Sequence, residues 1–190
     1  MVGKEQNKIM SESLENFTNI VKEDIKEAKT LFFSEAFKEE YLKDRREEKE
    51  LYHQLLLGRN RNQILEEFLL SSGQKKPVLL SAAKTIYQAT IMNLDEPLEI
   101  KVKREGWGYL VGRIKSDGTF LSLHKNTFQA EDFEDGTLTI YADMKTIPKD
   151  GDIDHLIIQT VYQTLQIEVV YKEQKSRKKK EEEFRYKRIE

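Results

Sequence analysis

Apolar and polar residues alternate in short runs from Leu98 to Tyr171, and few folds satisfy such a pattern. Leu98, Ile100 and Val102 alternate with Glu99, Lys101 and Lys103. Leu138, Ile140 and Ala142 alternate with Thr139 and Tyr141, and Leu165, Ile167, Val169 and Tyr171 with Gln166, Glu168 and Val170. Side chains of a strand point to opposite faces with period two, so each run has one dry and one wet face. Such strands are stable when two antiparallel sheets close over a shared apolar layer. Asp117-Gly118, Asp135-Gly136 and Asp150-Gly151 are turn dipeptides, and Pro148 adds another break. Together they predict about seven strands, the usual number for an immunoglobulin-like sandwich.

Where the sandwich begins is less sharply written. Leu79, Leu80, Ala83, Ile86 and Tyr87 fit a helix, whereas Ile86 to Met92 is β-branched and aromatic enough for a strand. We expect the first strand near Thr85 to Met92, because Asn93 to Pro97 makes a natural turn into the next run. Whether residues 78–84 are helix or strand stays open at this level.

The chain before this point has helical spacing. Leu14, Phe17, Val21, Ile25, Ala28, Leu31 and Phe32 recur every three or four residues and form one stripe within a helix expected from Ser11 to about Leu57. Ser11 suits an N-cap, with Glu12 and Glu15 complementing the dipole. From Lys38 to Glu50 every residue except Tyr41 and Leu42 is charged, which predicts a thinly anchored helix or connector. Gly58 is a plausible stop. Asn60 or Asn62 then caps a short helix carrying Ile64, Leu65, Phe68 and Leu69, ended by Gly73 and Pro77. After Tyr171 the chain is charged throughout, with Arg177 to Lys180 followed by Glu181 to Glu183. That composition predicts a solvated helix. Phe184, Tyr186 and Ile189 at its end suggest the start of a further domain.

The expected organisation is therefore α+β: a helical segment (residues 1–76), an immunoglobulin-like antiparallel β-sandwich (77–172) and a charged helical tail (173–190). Composition narrows the function classes. A net charge of −2 over 190 residues supplies no field for nucleic acid. No run of 18 or more apolar residues is present, so no membrane span is expected. The absence of cysteine excludes disulfides, thiolate catalysis and cysteine-ligated zinc, and suits a cytoplasmic setting.

Few residues invite a chemical reading. Asp150, Asp152 and Asp154 alternate as a calcium loop begins, yet the sixth and twelfth positions hold His155 and Val161 where an EF-hand needs Gly and Glu. A polar turn is the better reading, and no metal is expected. Arg177 to Lys180 is neutralised by the neighbouring glutamates and reads as a solvated face. Arg59 and Arg61 near a helix start give only a faint phosphate signal. Ser81, Ser116 and Ser122 lie in no nucleophile motif, and His53, His124 and His155 have no ligand spacing, so neither an enzymatic role nor a cofactor is expected. Trp107 and Tyr109, in Gly106-Trp107-Gly108-Tyr109, allow two readings: a Trp filling the sandwich core, or an aromatic platform for a sugar or peptide.

Gly106-Trp107-Gly108-Tyr109-Leu110, Phe120-Leu121 with Leu123, Glu131-Asp132-Phe133, Ile147 to Gly151, Ile157-Ile158-Gln159-Thr160 and Tyr162-Gln163 together resemble an uncharacterised family of large bacterial proteins. Members carry immunoglobulin-like modules ahead of helical repeats. The later half also resembles the sandwich of bacterial and ciliary modules related to pilus chaperones. Pro148, Asp150 and Asp152 depart from that family's small-residue loop. The resemblance implies no catalytic residue and no cofactor.

The expectation is a non-enzymatic protein-interaction or spacer module of a multidomain protein. It would engage a protein partner, or itself in coiled-coil fashion, through the stripe from Leu14 to Phe32 or through an open sheet edge. The alternative is a glycan-binding module using Trp107 and Tyr109. A third is an enzyme whose site is completed by other domains.

Overall fold

The computed structural model describes residues 14–118 and 120–174. The chain divides into two units: one takes residues up to Val78 together with Gly106–Tyr109, the other Leu79–Glu105 and the residues from Leu110 onward. Gly106–Tyr109 therefore belongs to the helical unit, although sequence order places it inside the sandwich region. The expected single break after residue 76 carries no sign of this exchange.

The helical unit is built from α1 (residues 14–23), α2 (Ile25–Phe32), α3 (Glu35–Tyr41), α4 (Arg46–Leu55) and α5 (Arg61–Ser71). The single helix expected from Ser11 to Leu57 is thus broken. Asp24 ends α1 by turning its carboxylate onto the amides of Lys26 (2.9 Å) and Glu27 (3.0 Å), which caps α2. Those two amide bonds hold its pKa below the usual carboxylate value. Asn60 caps α5 in the same way, accepting from Asn62 and Gln63. Gly73, with φ +74°, closes it in a conformation that L side chains avoid. Ser11 lies outside the described residues.

These breaks fold the stripe onto itself. Leu14, Phe17, Val21, Ala28 and Phe32 are buried with Phe37, Leu42, Tyr52, Ile64, Leu65, Phe68 and Leu69, and Leu31 packs partly against them. Phe32 meets Phe17, Phe37, Tyr52 and Phe68 with ring centroids 4.8–5.9 Å apart. The Tyr52 hydroxyl donates to the Phe32 carbonyl at 2.7 Å, and burial pushes its pKa up. The interaction stripe read from the sequence is corrected accordingly: five of its seven residues are interior, and only Ile25 is exposed. A helix bent at Asp24 and Ser34 turns most of this apolar stripe into the interior of its own unit.

The second unit is a two-sheet sandwich. One sheet runs β1 (Leu79–Ala82), β3 (Leu98–Glu105), β7 (Thr137–Met144), β5 (Leu121–Leu123). The other runs β2 (Ile86–Ala89), β9 (Thr164–Tyr171), β8 (Ile153–Thr160), β4 (Val111–Ser116), β6 (Thr127–Gln129). The cores β1-β3-β7-β5 and β9-β8-β4 follow the A-B-E-D and G-F-C layout of an immunoglobulin-like sandwich. The A position is split, so that β1 pairs antiparallel with β3 before β2 crosses over and pairs parallel with β9. The chain also visits β5 before the extra edge β6.

The alternation sets the faces. Ile100, Val102, Leu138, Ile140 and Ala142 point inward from one sheet, and Leu156, Ile158, Ile167, Val169 and Tyr171 from the other. The described residues hold nine strands where about seven were expected. The difference lies mainly at the start: β1 precedes the strand placed near Ile86, and that strand ends at Ala89. From Ile91 to Leu94 a 3-10 turn follows instead, capped by reciprocal bonds between Thr90 and Asn93. Residues 172–174 are not helical, and the rest of the expected tail lies outside the described residues. Among the described residues no helix is long and apolar enough to cross a membrane.

Candidate functional site

Trp107 does not enter the sandwich core. It packs against the helical cluster, half-buried, with the Lys22 and Lys75 ammonium groups 5.1 and 4.6 Å from its ring centroid. The Lys75 side chain is fully buried, donates to the Trp107 carbonyl at 2.5 Å and forms an ion pair with the nearly buried Glu66. Glu66 Oε2 also accepts from the Tyr109 amide at 3.3 Å. This approach needs Gly108: its φ of +107° suits glycine, and a Cβ there would lie 2.8 Å from Glu66 Oε2. The Tyr109 hydroxyl accepts from Asn60 at 3.2 Å. Both candidate platform residues are thus held by the helical unit's own polar groups, and the ring of Trp107 already carries two cations.

The acidic turn scatters its carboxylates. Asp150 accepts from the Glu173 amide and Asp152 from the Lys149 amide, both at 2.9 Å, while Asp154 points into the sandwich. Among the described residues no cluster of three metal-ligating side chains forms. Arg61 lies over the Phe33 ring at 4.4 Å. His155 reaches Asp117 at 3.2 Å, a pairing that sequence spacing does not announce.

The sheet edges separate more clearly. Backbone groups on an edge strand alternate between the neighbouring strand and open space, and exposed ones recruit other strands. On β1 the outward residues are Leu80 and Ala82; Gln163 accepts from the Leu80 N–H at 2.7 Å and donates to its carbonyl at 2.8 Å. On β5 they are Leu121 and Leu123, and the Leu121 N–H donates to Asp154 Oδ2 at 3.0 Å. Asp154 is fully buried, and its Oδ1 also accepts from Ser116 Oγ (2.6 Å) and the Gly118 amide (2.7 Å). A Cβ on Gly118 would overlap that carboxylate. On β6 the Gln129 amide donates to Asp132 at 2.7 Å. Three edges each carry a side-chain plug.

On β2 the bonds Glu168 N–H to Thr85 and Lys172 N–H to Ala89 set the alternation. Ile86 and Gln88 therefore present their N–H and C=O groups outward. Among the described residues no side chain is bonded to them. Ile86 is 57% exposed, with Met92 exposed just beyond the strand. Sequence reasoning named an open edge without identifying which one; the plugs on β1 and β5 come from distant residues, whereas Asp132 stands only three residues from Gln129 on β6.

The plug on β6 is acid-sensitive. The Lys125 ammonium at 2.5 Å, then the Gln129 amide, hold the Asp132 pKa below its ordinary 3.8. A carboxyl lowered in the fold contributes fully above its unfolded pKa and loses that contribution as pH falls through the folded one. The Gln129 amide resonance should therefore stay constant from neutral pH to about pH 5 and move upfield only at lower pH. An Asp132→Asn variant should abolish that titration; a titration surviving in the variant would assign it to another group. Beside this edge lies an open groove of about 670 Å³ bordered by Arg113, Thr127, Gln129, Gln159 and Val161, whose side chains are exposed or partly so.

A protein-family model matches residues 2–190, that of the N-terminal region of a family of unknown function, DUF5717. The chain belongs to this family. No protein of curated function matches it. Several solved structures are similar to the sandwich at low identity. The YadV chaperone shares 10% identity at a TM-score of 0.39, over 53% of this chain and 53% of that one. WR4, a C. elegans MSP family member, shares 8% at 0.39, over 48% and 96%. The apo Calx CBD1 domain shares 11% at 0.38, over 53% and 100%. The match thus spans about half the length of the YadV chain.

Proposed function

We propose that this region is a non-catalytic protein-interaction and spacer module of a cytoplasmic multidomain bacterial protein, and that it engages its partner by strand addition at β2. One observation carries the reading: β1, β5 and β6 each have an outward backbone group bonded to Gln163, Asp154 or Asp132, and β2 has no such cover among the described residues. Natural sheets blunt their edges against unwanted pairing, so an edge left open amid blunted ones marks the surface meant for pairing. The helical stripe offers no rival surface, because its residues fill the interior of their own unit.

The reading is tested by placing a photo-crosslinking amino acid at position 88 of the full-length protein in its cells, with position 122 on the plugged β5 edge as control. A discrete adduct from 88 and none from 122 is expected. No adduct at 88, or equal adducts at both positions, would overturn it.

A further inference from the structure

We infer that the occupant of the β2 edge is a short extended peptide with apolar side chains at alternate positions and an acidic residue at the Lys84 end, not a second copy of this chain. The inference rests on β2 being the interaction edge and specifies what that edge accepts.

Length and charge both bear on the choice. β2 has four residues, about 13 Å of strand, and just two of them, Ile86 and Gln88, direct backbone groups outward. An added antiparallel strand would form two residue pairs there, each exchanging two hydrogen bonds. Its residues opposite Ile86 and Gln88 share the outer face of the sheet. That face is apolar along one row, where Gln88 neighbours Val170 and Val170 neighbours Ile153, itself 51% exposed, while the exposed Ile86 neighbours Glu168. Alternate apolar residues on the incoming strand therefore gain cover that polar ones would not. Two residues before Ile86, in the bent crossover that leads from β1 into β2, stands the exposed Lys84, its ammonium 5.9 Å from the Tyr87 ring. The incoming residue opposite Lys84 meets a positive charge, and a carboxylate complements it.

A second copy fits poorly. Symmetric antiparallel pairing about Tyr87 would set Ile86 against Gln88 and Lys84 against Thr90, so that neither apolar contact nor charge is matched. It would also engage four residues a side, against roughly 20–30 in a stable protein interface.

The probe is the peptide acetyl-Thr-Val-Thr-Val-Thr-Glu-amide, titrated into the isotope-labelled 190-residue chain and followed by NMR. The Ile86 and Gln88 amides should shift and exchange more slowly, with saturation below millimolar peptide. Replacing the terminal Glu by Lys should weaken binding at least threefold, and raised salt should narrow that gap. Gln88→Pro removes an outward N–H that β9 does not use, and should weaken binding tenfold or more at unchanged melting temperature. Ile86→Lys, at an exposed site, provides the second variant and should weaken binding similarly.

Absence of shifts at millimolar peptide, or shifts confined to β5 or β6, would overturn the inference. So would sedimentation showing a dimer that Gln88→Pro dissolves. If the peptide fails while the crosslink at position 88 persists, the edge stands and the occupant is wrong; if both fail, the edge itself is wrong.

Discussion

Glu66→Ala should destabilise the helical unit by about 3–5 kcal/mol, the usual cost of stripping one partner from a buried ion pair. Lys75 is fully buried, so water cannot replace the lost carboxylate, and the Tyr109 amide loses an acceptor at the same time. The loop from Gly106 to Tyr109 is held by these bonds. Its undocking should expose Trp107, the single tryptophan of the chain, and shift its emission to the red. The double variant Glu66→Leu with Lys75→Met removes both charges and keeps the volume, so it should regain most of the lost stability. The measurement is denaturant unfolding followed by Trp107 fluorescence. A single variant as stable as the double would show that the pair carries no such cost.

Asp154→Ala should lower the melting temperature of the sandwich by about 12–24 °C. Three donors lose their acceptor: Ser116 Oγ, the Gly118 amide and the Leu121 amide. At about 1 kcal/mol or more for each buried donor left unsatisfied, the total is roughly 3 kcal/mol. A domain of this size loses about 4–8 °C per kcal/mol. Asp154→Asn should fall between the two, since its amide group would face a backbone N–H with another donor. The variant also bares the β5 edge, so heated Asp154→Ala samples should aggregate sooner than wild type. A calorimetric shift under about 3 °C would mean that the loop between β4 and β5 is held by something else.

Both predictions concern polar groups inside a protein whose apolar pattern was easy to read. The strands from Leu98 to Tyr171 were visible because each alternation has one solution that buries its apolar face, and a one-residue slip would expose it. Asp154 carried a usable signal within that pattern: it occupies the inward register shared by Leu156 and Ile158. A carboxylate at an inward position requires buried donors, and this one finds three. The helix cap at Asn60 and the stop at Gly73 were legible for a different reason, because capping is local chemistry within three or four residues. Asp24 offers the same local chemistry, but the unbroken spacing of apolar residues around it concealed the bend.

The amino-acid sequence alone determined the α+β composition, the faces of the strands whose alternation it spells out (β3, β7 and β9) and the turns marked by Asp-Gly pairs, since period and turn chemistry are properties of neighbouring residues. It left undecided where the stripe from Leu14 to Phe32 would find its partner, and the tertiary structure turned that stripe inward. It left Trp107 between two readings, and the structure chose neither: the ring sits on the helices, tied through Lys75 and Glu66. The plugs on the β1 and β5 edges were likewise decided only in three dimensions, whereas that on β6 is a local bond from Gln129 to Asp132. Gln163 meets Leu80 across 83 residues of sequence and Asp154 meets Leu121 across 33, separations at which local pattern says nothing about contact. Among the described residues, β2 is the edge left without a side-chain plug once those bonds have formed.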